Sequence, residues 1–242
     1  MLIKIIILLL PVAAMVAFVL FMVALRRHIR NKLRLAVSLA VTGMAASFGV
    51  YRLTLALAGK AGVCAPAAGS LTGLFSGAGL GVLVSLASGA LYYAARRPAL
   101  TAQSAKNMAV SGIANVSSAL IEETSFRGGV VHFAAAFWGA PAGLLGGSAP
   151  FGLLHLLGRL WGTPVDLMHV LGTAMAGLLL SAVYLRWGLL PAIGVHWAWN
   201  SLCAFWVPLF GLGETGAVNF EGAPTTVFSL TGASVLVLFL GK

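Results

Sequence analysis

Long apolar stretches fill most of the chain and are separated by short polar or glycine-rich segments. A helix needs about 20 mostly apolar residues to cross the hydrocarbon core of a bilayer. Residues 2–25, 35–58 and 71–95 meet this requirement, so we predict three transmembrane helices in the N-terminal part. The first stretch exceeds the roughly 7–15-residue apolar core of a signal peptide, and no A-x-A site precedes Arg26, so we interpret it as a membrane anchor.

The next stretch, residues 108–140, is apolar except for four ionisable side chains. These four are Glu122, Glu123, Arg127 and His132. The stretch is too long for one simple span, so we predict a break or tilt at Gly128-Gly129. Gly146-Gly147-Ser148 is expected to lead into a span that ends near Arg159, and further spans are expected at 165–185, 189–210 and 225–240. The pattern predicts an all-α, polytopic transmembrane bundle of about eight membrane-embedded helices.

Composition and charge support this fold class and exclude a soluble one. Of 242 residues, 60% are hydrophobic and 8% are charged, which is too few charges to cover a water-soluble surface. The net charge of +10 comes largely from basic residues at 26–34 and 96–106, which flank apolar stretches. Basic residues beside spans indicate how the spans are oriented in the membrane and that they contact anionic lipid. They do not point to nucleic-acid binding. We expect a multi-pass protein of a bacterial-type plasma membrane.

Three polar clusters lie within the predicted spans, where an ionisable group is costly and is a candidate for function. In the first cluster, Glu123 and Arg127 are four residues apart, the spacing of an ion pair on a helix. Glu122 lies about 100° away around the same helix and has no obvious local partner. A buried carboxylate in that position is suited to act as a general base.

The other two clusters are histidine-based. Phe151 precedes His155 by four residues, and His196 precedes Asn200 by four, so the members of each pair share a helix face. Histidine and asparagine can orient water or donate hydrogen bonds to a developing oxyanion. No G-x-S-x-G nucleophile motif is present, which favours an activated water over a covalent route.

The three clusters, in this order, resemble the motifs EExxxR, FxxxH and HxxxN/D of the CPBP family of intramembrane proteases, which includes the Rce1-type CAAX prenyl endopeptidases. The matching residues are Glu122, Glu123 and Arg127, then Phe151 and His155, then His196 and Asn200. The resemblance covers about Glu122 to Asn200. It implies catalytic helices at 106–210 and is not extended to the N-terminal spans. The apolar pattern places N-terminal spans at 1–105 and a last loop and span at 211–242, and we expect a single membrane domain of residues 1–242.

The resemblance also implies a role for each site residue. Glu122 is expected to activate the attacking water, and His155 to help hold that water. His196 and Asn200 are expected to stabilise the oxyanion, with the neighbouring carboxylate–guanidinium pair positioning Glu122. The family implies no metal or other cofactor. The expected substrate is a membrane protein or a lipidated or C-terminal-tail peptide, cleaved within or at the edge of the bilayer.

Two other interpretations of the same residues stay open. Glu122, His155 and His196 also make up a His₂Glu ligand set for a zinc hydrolase, although no HExxH motif supports it. Polar residues inside a membrane also occur in ion pathways, and some relatives of the family serve in bacteriocin immunity, so a non-enzymatic immunity or transport protein is the second alternative.

The expected depths of two site residues disagree. A continuous helix from Lys106 places Glu122 about 24 Å from the cytoplasmic side, at 1.5 Å per residue. His155 is one turn from Arg159, which the same topology places at the cytoplasmic side. Either the helix with Glu122 is broken or re-entrant, or the later spans run in the opposite direction.

Overall fold

The computed structural model describes residues 2–101, 105–157, 165–211 and positions 232, 234 and 236, and those residues that form regular structure are all helical. The elements are α1 (Leu2–His28), α2 (Lys32–Ala61), α3 (Leu71–Arg96), α4 (Ala105–Ser125), a π-helical segment (Phe126–Val131), α5 (His132–Trp138), α6 (Ala140–Leu154), α7 (Leu167–Trp187) and α8 (Leu189–Leu209). Because α4, the π-helical segment and α5 continue without a break, the described residues form seven helical rods. The all-α prediction is confirmed.

Five of these helices, α1, α2, α3, α6 and α7, are long and apolar enough to cross a membrane, as expected of a multi-pass membrane protein. Helices α4 and α8 are not among the five because glutamates in α4, and His196 and Asn200 in α8, lower their hydropathy. The described residues therefore do not show eight spans. The predicted span at 225–240 lies outside them except at three positions.

The rod that carries the first polar cluster changes from α-helix to π-helix and back without a break. Gly128 and Gly129 lie inside the π-helical segment, so the winding changes at the predicted pair without a break, and the alternative of a tilt there stays a prediction. A π-helical turn accommodates an extra residue while the chain stays helical, and such turns are frequent at functional sites. A Cβ on Gly129 would lie 2.7 Å from the Pro11 side chain, so this glycine permits close contact with α1.

The span expected to begin after Gly146-Gly147-Ser148 begins earlier, at Ala140, and these residues lie in the middle of α6. A Cβ on Gly147 would clash with Val131, and Ser148 is buried. The small residues therefore serve helix packing rather than a loop, as is common within membranes. The predicted end near Arg159 lies outside the described residues.

Helix α8 is held against α3 by small residues. Cβ atoms on Gly77 or Gly81 would clash with the backbone of α8, and one on Gly194 would clash with the backbone of α3. The four-residue spacing of Gly77 and Gly81 therefore gives α3 a packing face of the GxxxG kind. It fixes the helix that carries His196 and Asn200.

Helix α1 runs antiparallel to the rod formed by α4 and α5. The Lys4 ammonium near its start lies 4.7 Å from the centre of the Phe137 ring near the end of the rod, and Pro11 packs on Gly129. The other end of α1, which carries Arg26, therefore lies towards the beginning of α4. This arrangement places α1 along the polar cluster of the rod.

We expect Gly77→Ala to lower the thermal stability of the detergent-purified protein, because the added methyl forces α3 away from α8. Overpacking of this kind typically costs about 1–3 kcal/mol. Gly79→Ala is the matched control, since nothing lies within 4 Å of its added Cβ and alanine favours helix. Equal melting temperatures for the two variants would contradict the close α3–α8 contact.

Candidate active site

A completely buried guanidinium lies at the centre of the polar residues. Arg127 Nη1 donates to Glu123 Oε1 at 2.9 Å, and Nη2 donates to the carbonyl oxygen of Gly177 in α7 at 3.1 Å. Neither side chain of this ion pair is accessible to solvent. The i,i+4 pair predicted from the sequence is confirmed, and the π-helical segment holds its cationic member.

Glu123 also fixes the orientation of His196. Its Oε1 lies 2.7 Å from His196 Nδ1, so the histidine donates from Nδ1 to the carboxylate. The opposite ring nitrogen, Nε2, then faces Glu122 Oε2 at 3.8 Å. Glu123 thus also contacts the histidine of α8. The positioning of Glu122 by the Glu123–Arg127 pair, which the family resemblance implies, stays a prediction.

Glu122 is held from within its own helix. Ser118 Oγ donates to Glu122 Oε1 at 2.8 Å, which leaves Oε2 on the side of His196. The Glu122 side chain is 19% exposed, while Glu123 is fully buried. Sequence reasoning missed Ser118, although a hydroxyl four residues before a glutamate on one helix face was an available signal.

His155 reaches the same region from the end of α6. The helix ends at Leu154, and His155 is the residue that caps it. His155 Nδ1 lies 2.8 Å from the carbonyl oxygen of Phe151, and the Phe151 ring contacts His196 edge to face. Helix α4 continues without a break into the π-helical segment, so the helix with Glu122 is not broken, and the direction of the later spans in the membrane stays a prediction.

A cavity of about 650 Å³ brings four of the predicted residues together. These are Glu122, His155, His196 and Asn200. Glu123 and Arg127 do not line it and lie behind the cavity wall. The cavity is otherwise mainly apolar, so it is suited to hold an extended or lipid-like chain beside a few polar groups.

Of two further histidines, one lines the cavity and the other does not. His132 lies away from the cavity, with Nε2 at 2.8 Å from the Cys64 carbonyl oxygen and Nδ1 at 3.1 Å from the Tyr184 hydroxyl. His169, in the first turn of α7, lines the cavity with its ring centre 5.7 Å from that of His155. In the part of the chain that the structure describes, no three His, Cys, Asp or Glu side chains are grouped as metal ligands.

The segment that contains this site matches a known protein family. Residues 104–202 match the family model described as type II CAAX prenyl endopeptidase, Rce1-like. This segment is an Rce1-like domain of the CPBP family. The family is one of proteases, so the recognition made from the three motifs is confirmed and the domain is a protease domain. Comparisons with curated proteins and with solved structures gave no match.

The cavity is not built by the Rce1-like domain alone. Met15 and Met22 of α1 and Leu39 of α2 form part of its wall, and both helices precede the matched segment. The division of the chain into N-terminal spans, catalytic helices and a last span stays a prediction. The N-terminal helices nevertheless contact the space into which Glu122 points.

We expect Arg127→Ala to destabilise the protein strongly, because it leaves the Glu123 carboxylate buried without its guanidinium. Breaking a buried pair on one side typically costs about 3–5 kcal/mol. The control is Glu122→Gln, which alters the partly exposed carboxylate and leaves the Arg127 pair intact. Unfolding by SDS titration of the purified protein measures both, and equal stability of the two variants would contradict a structural role for the pair.

Proposed function

We propose that the Rce1-like domain hydrolyses a peptide bond near the C-terminal tail or in a membrane segment of a protein substrate, with a water that Glu122 activates. The observation that carries the proposal is the position of Glu122, which is the acidic residue that lines the cavity among the described residues. It faces His196 there, and the cavity is wide enough for an extended peptide.

Glu122 has the geometry of a general base. Ser118 occupies Oε1, so Oε2 is available to take a proton from water in the cavity. The resulting hydroxide attacks the peptide carbonyl carbon, and the carbonyl oxygen becomes an oxyanion. When the C–N bond breaks, the proton held by Glu122 passes to the leaving amine.

His155 is suited to position that water. Its Nδ1–H donates to the Phe151 carbonyl, which leaves the lone pair of Nε2 as an acceptor. A water held between this nitrogen and Glu122 has one hydrogen directed at each, and its oxygen lone pair is directed at the substrate. Holding the nucleophile in place supplies part of the rate enhancement.

His196 and Asn200 are suited to stabilise the oxyanion. Both line the cavity on one face of α8, and the Asn200 amide is a donor. His196 donates from Nε2 when its ring carries both protons, because Nδ1 is bound to Glu123. Loss of one such donor typically reduces kcat by about 10²–10³.

We expect Glu122→Gln to reduce the rate of proteolysis by a factor of about 10²–10⁴, the usual contribution of a general base. The glutamine keeps the size of the side chain and accepts from Ser118, so insertion and purification should be unchanged. The measurement compares C-termini of the membrane proteome in cells with the wild type, with the variant and without the protein. New C-termini that persist with Glu122→Gln would rule out this residue as the base.

The zinc alternative predicts a different response to chelators. With a glutamate-activated water, proteolysis should persist after the purified protein is treated with a strong chelator and its metal content is measured. Loss of activity that zinc restores would instead assign Glu122, His155 and His196 as ligands. Activity on a peptide derived from a Glu122-dependent cleavage is the readout.

A further inference from the structure

Helix α1 presents one face to the cavity. Met15, Val19, Met22, Val23 and Arg26 line it at spacings of three, four or one residues, which place all five on one side of the helix. Four of them are apolar, and the last is a cation. This face lies outside the matched Rce1-like segment, and none of the three motifs includes it.

Among the α1 residues that line the cavity, Met15 lies at one end and Arg26 at the other. The Arg26 side chain is exposed, and no ion pair to it is found among the described residues. The cavity therefore extends from a carboxylate inside the bundle, Glu122, to a guanidinium near the end of α1 that has no acidic partner in the described part of the chain. An Arg guanidinium in such a position is suited to bind a carboxylate through two parallel hydrogen bonds.

We propose that Arg26 binds the C-terminal carboxylate of the substrate while the scissile peptide bond lies at Glu122. The inference rests on the proposed function and adds the group that selects the substrate's end. The apolar face of α1 between the two points contacts the side chains of the bound tail. Arg26 is thus a specificity-determining residue contributed by a helix outside the protease motifs.

The length of α1 predicts where the substrate is cut. Met15 and Phe18 pack in one apolar cluster with Ile121 and Phe126, so this part of α1 lies beside the turn that carries Glu122. From there to Arg26 the helix rises about 12–16 Å at 1.5 Å per residue. An extended tail covers about 10 Å with three residues and about 17 Å with five, at 3.3–3.6 Å each. With the reach of the arginine side chain included, the cut should lie three to five residues from the C-terminus.

Arg27 provides a matched control for this role. It is exposed on the same helix and carries the same charge, but it does not line the cavity. Both arginines contribute equally to the basic loop that orients the protein in the membrane. A role in orientation therefore predicts equal effects of Arg26→Gln and Arg27→Gln, whereas carboxylate binding predicts an effect of Arg26→Gln alone.

The experiment uses the tail of a protein whose C-terminus changes in a Glu122-dependent way. Two synthetic peptides of that sequence, one with a free C-terminal carboxylate and one with a C-terminal amide, are cleaved by the full-length protein in liposomes. For the wild type and Arg27→Gln, we expect the amide to lower kcat/KM about tenfold, the lower range for a charged hydrogen bond. For Arg26→Gln, the two peptides should be cleaved equally, and Arg26→Lys should restore part of the preference.

The outcomes separate this inference from the function it rests on. If no C-terminus depends on Glu122, the proposed function fails and the role of Arg26 fails with it. If Glu122-dependent cleavage occurs but lies more than about ten residues from the C-terminus, a tail too long for the α1 face, only the role of Arg26 is overturned. The same holds if the wild type does not distinguish acid from amide, or if Arg26→Gln keeps the preference.

Discussion

The arrangement of the site depends on the Arg127 guanidinium, which lies inside the bundle with no access to water. A buried cation requires an opposite charge and hydrogen-bond acceptors, since desolvation costs several kcal/mol. Glu123 supplies the charge, the Gly177 carbonyl supplies an acceptor from α7, and the Phe151 ring of α6 lies 4.4 Å from the guanidinium carbon. Because Glu123 also accepts from His196, one cation joins the rod of α4 and α5 to three other helices.

The polar residues fall into two groups, those that are enclosed by protein and those that face the cavity. Glu123 and Arg127 are enclosed by protein, so their charges are matched to each other and to His196. Glu122 and Asn200 face the cavity, where a reacting group can approach them. Adjacent glutamates in one sequence motif therefore have different surroundings, because successive helical residues point about 100° apart. One carboxylate holds the site together, and the other is available for chemistry.

The sequence predicted those features that depend on a residue's own chemistry or on its neighbours within one helix. Apolar stretches located the helices, and i,i+4 spacing identified the Arg127 pair and the shared face of His196 and Asn200. It could not distinguish a glycine that ends a helix from one that packs against another helix, since both uses need only the absence of a Cβ. For this reason Gly147 was placed outside a helix, and the π-helical winding at Gly129 was expected as a break or tilt.

Contacts between residues of different helices also could not be predicted from the sequence. The contact of Glu123 with a histidine 73 positions later, and the wall that α1 adds to the cavity, arise only when the rods pack. Hydropathy identifies α1 as a span but does not reveal which face of an apolar helix contacts protein. Motif spacing locates the reacting groups, whereas the shape of the space beside them depends on helices without motifs.

A mainly apolar cavity that carries a few polar groups explains how a protease site can exist in a chain this apolar. Residues of α1, α6 and α8 bound the space beside Glu122. Water and a peptide can occupy the space because its inner end carries polar groups, while Met15 and Met22 keep its side apolar. With the roles proposed for Glu122 and Arg26, the reacting groups belong to the Rce1-like segment and the residue that selects the substrate belongs to α1. That proposal implies that variation in α1 can change what is cleaved without altering how it is cleaved.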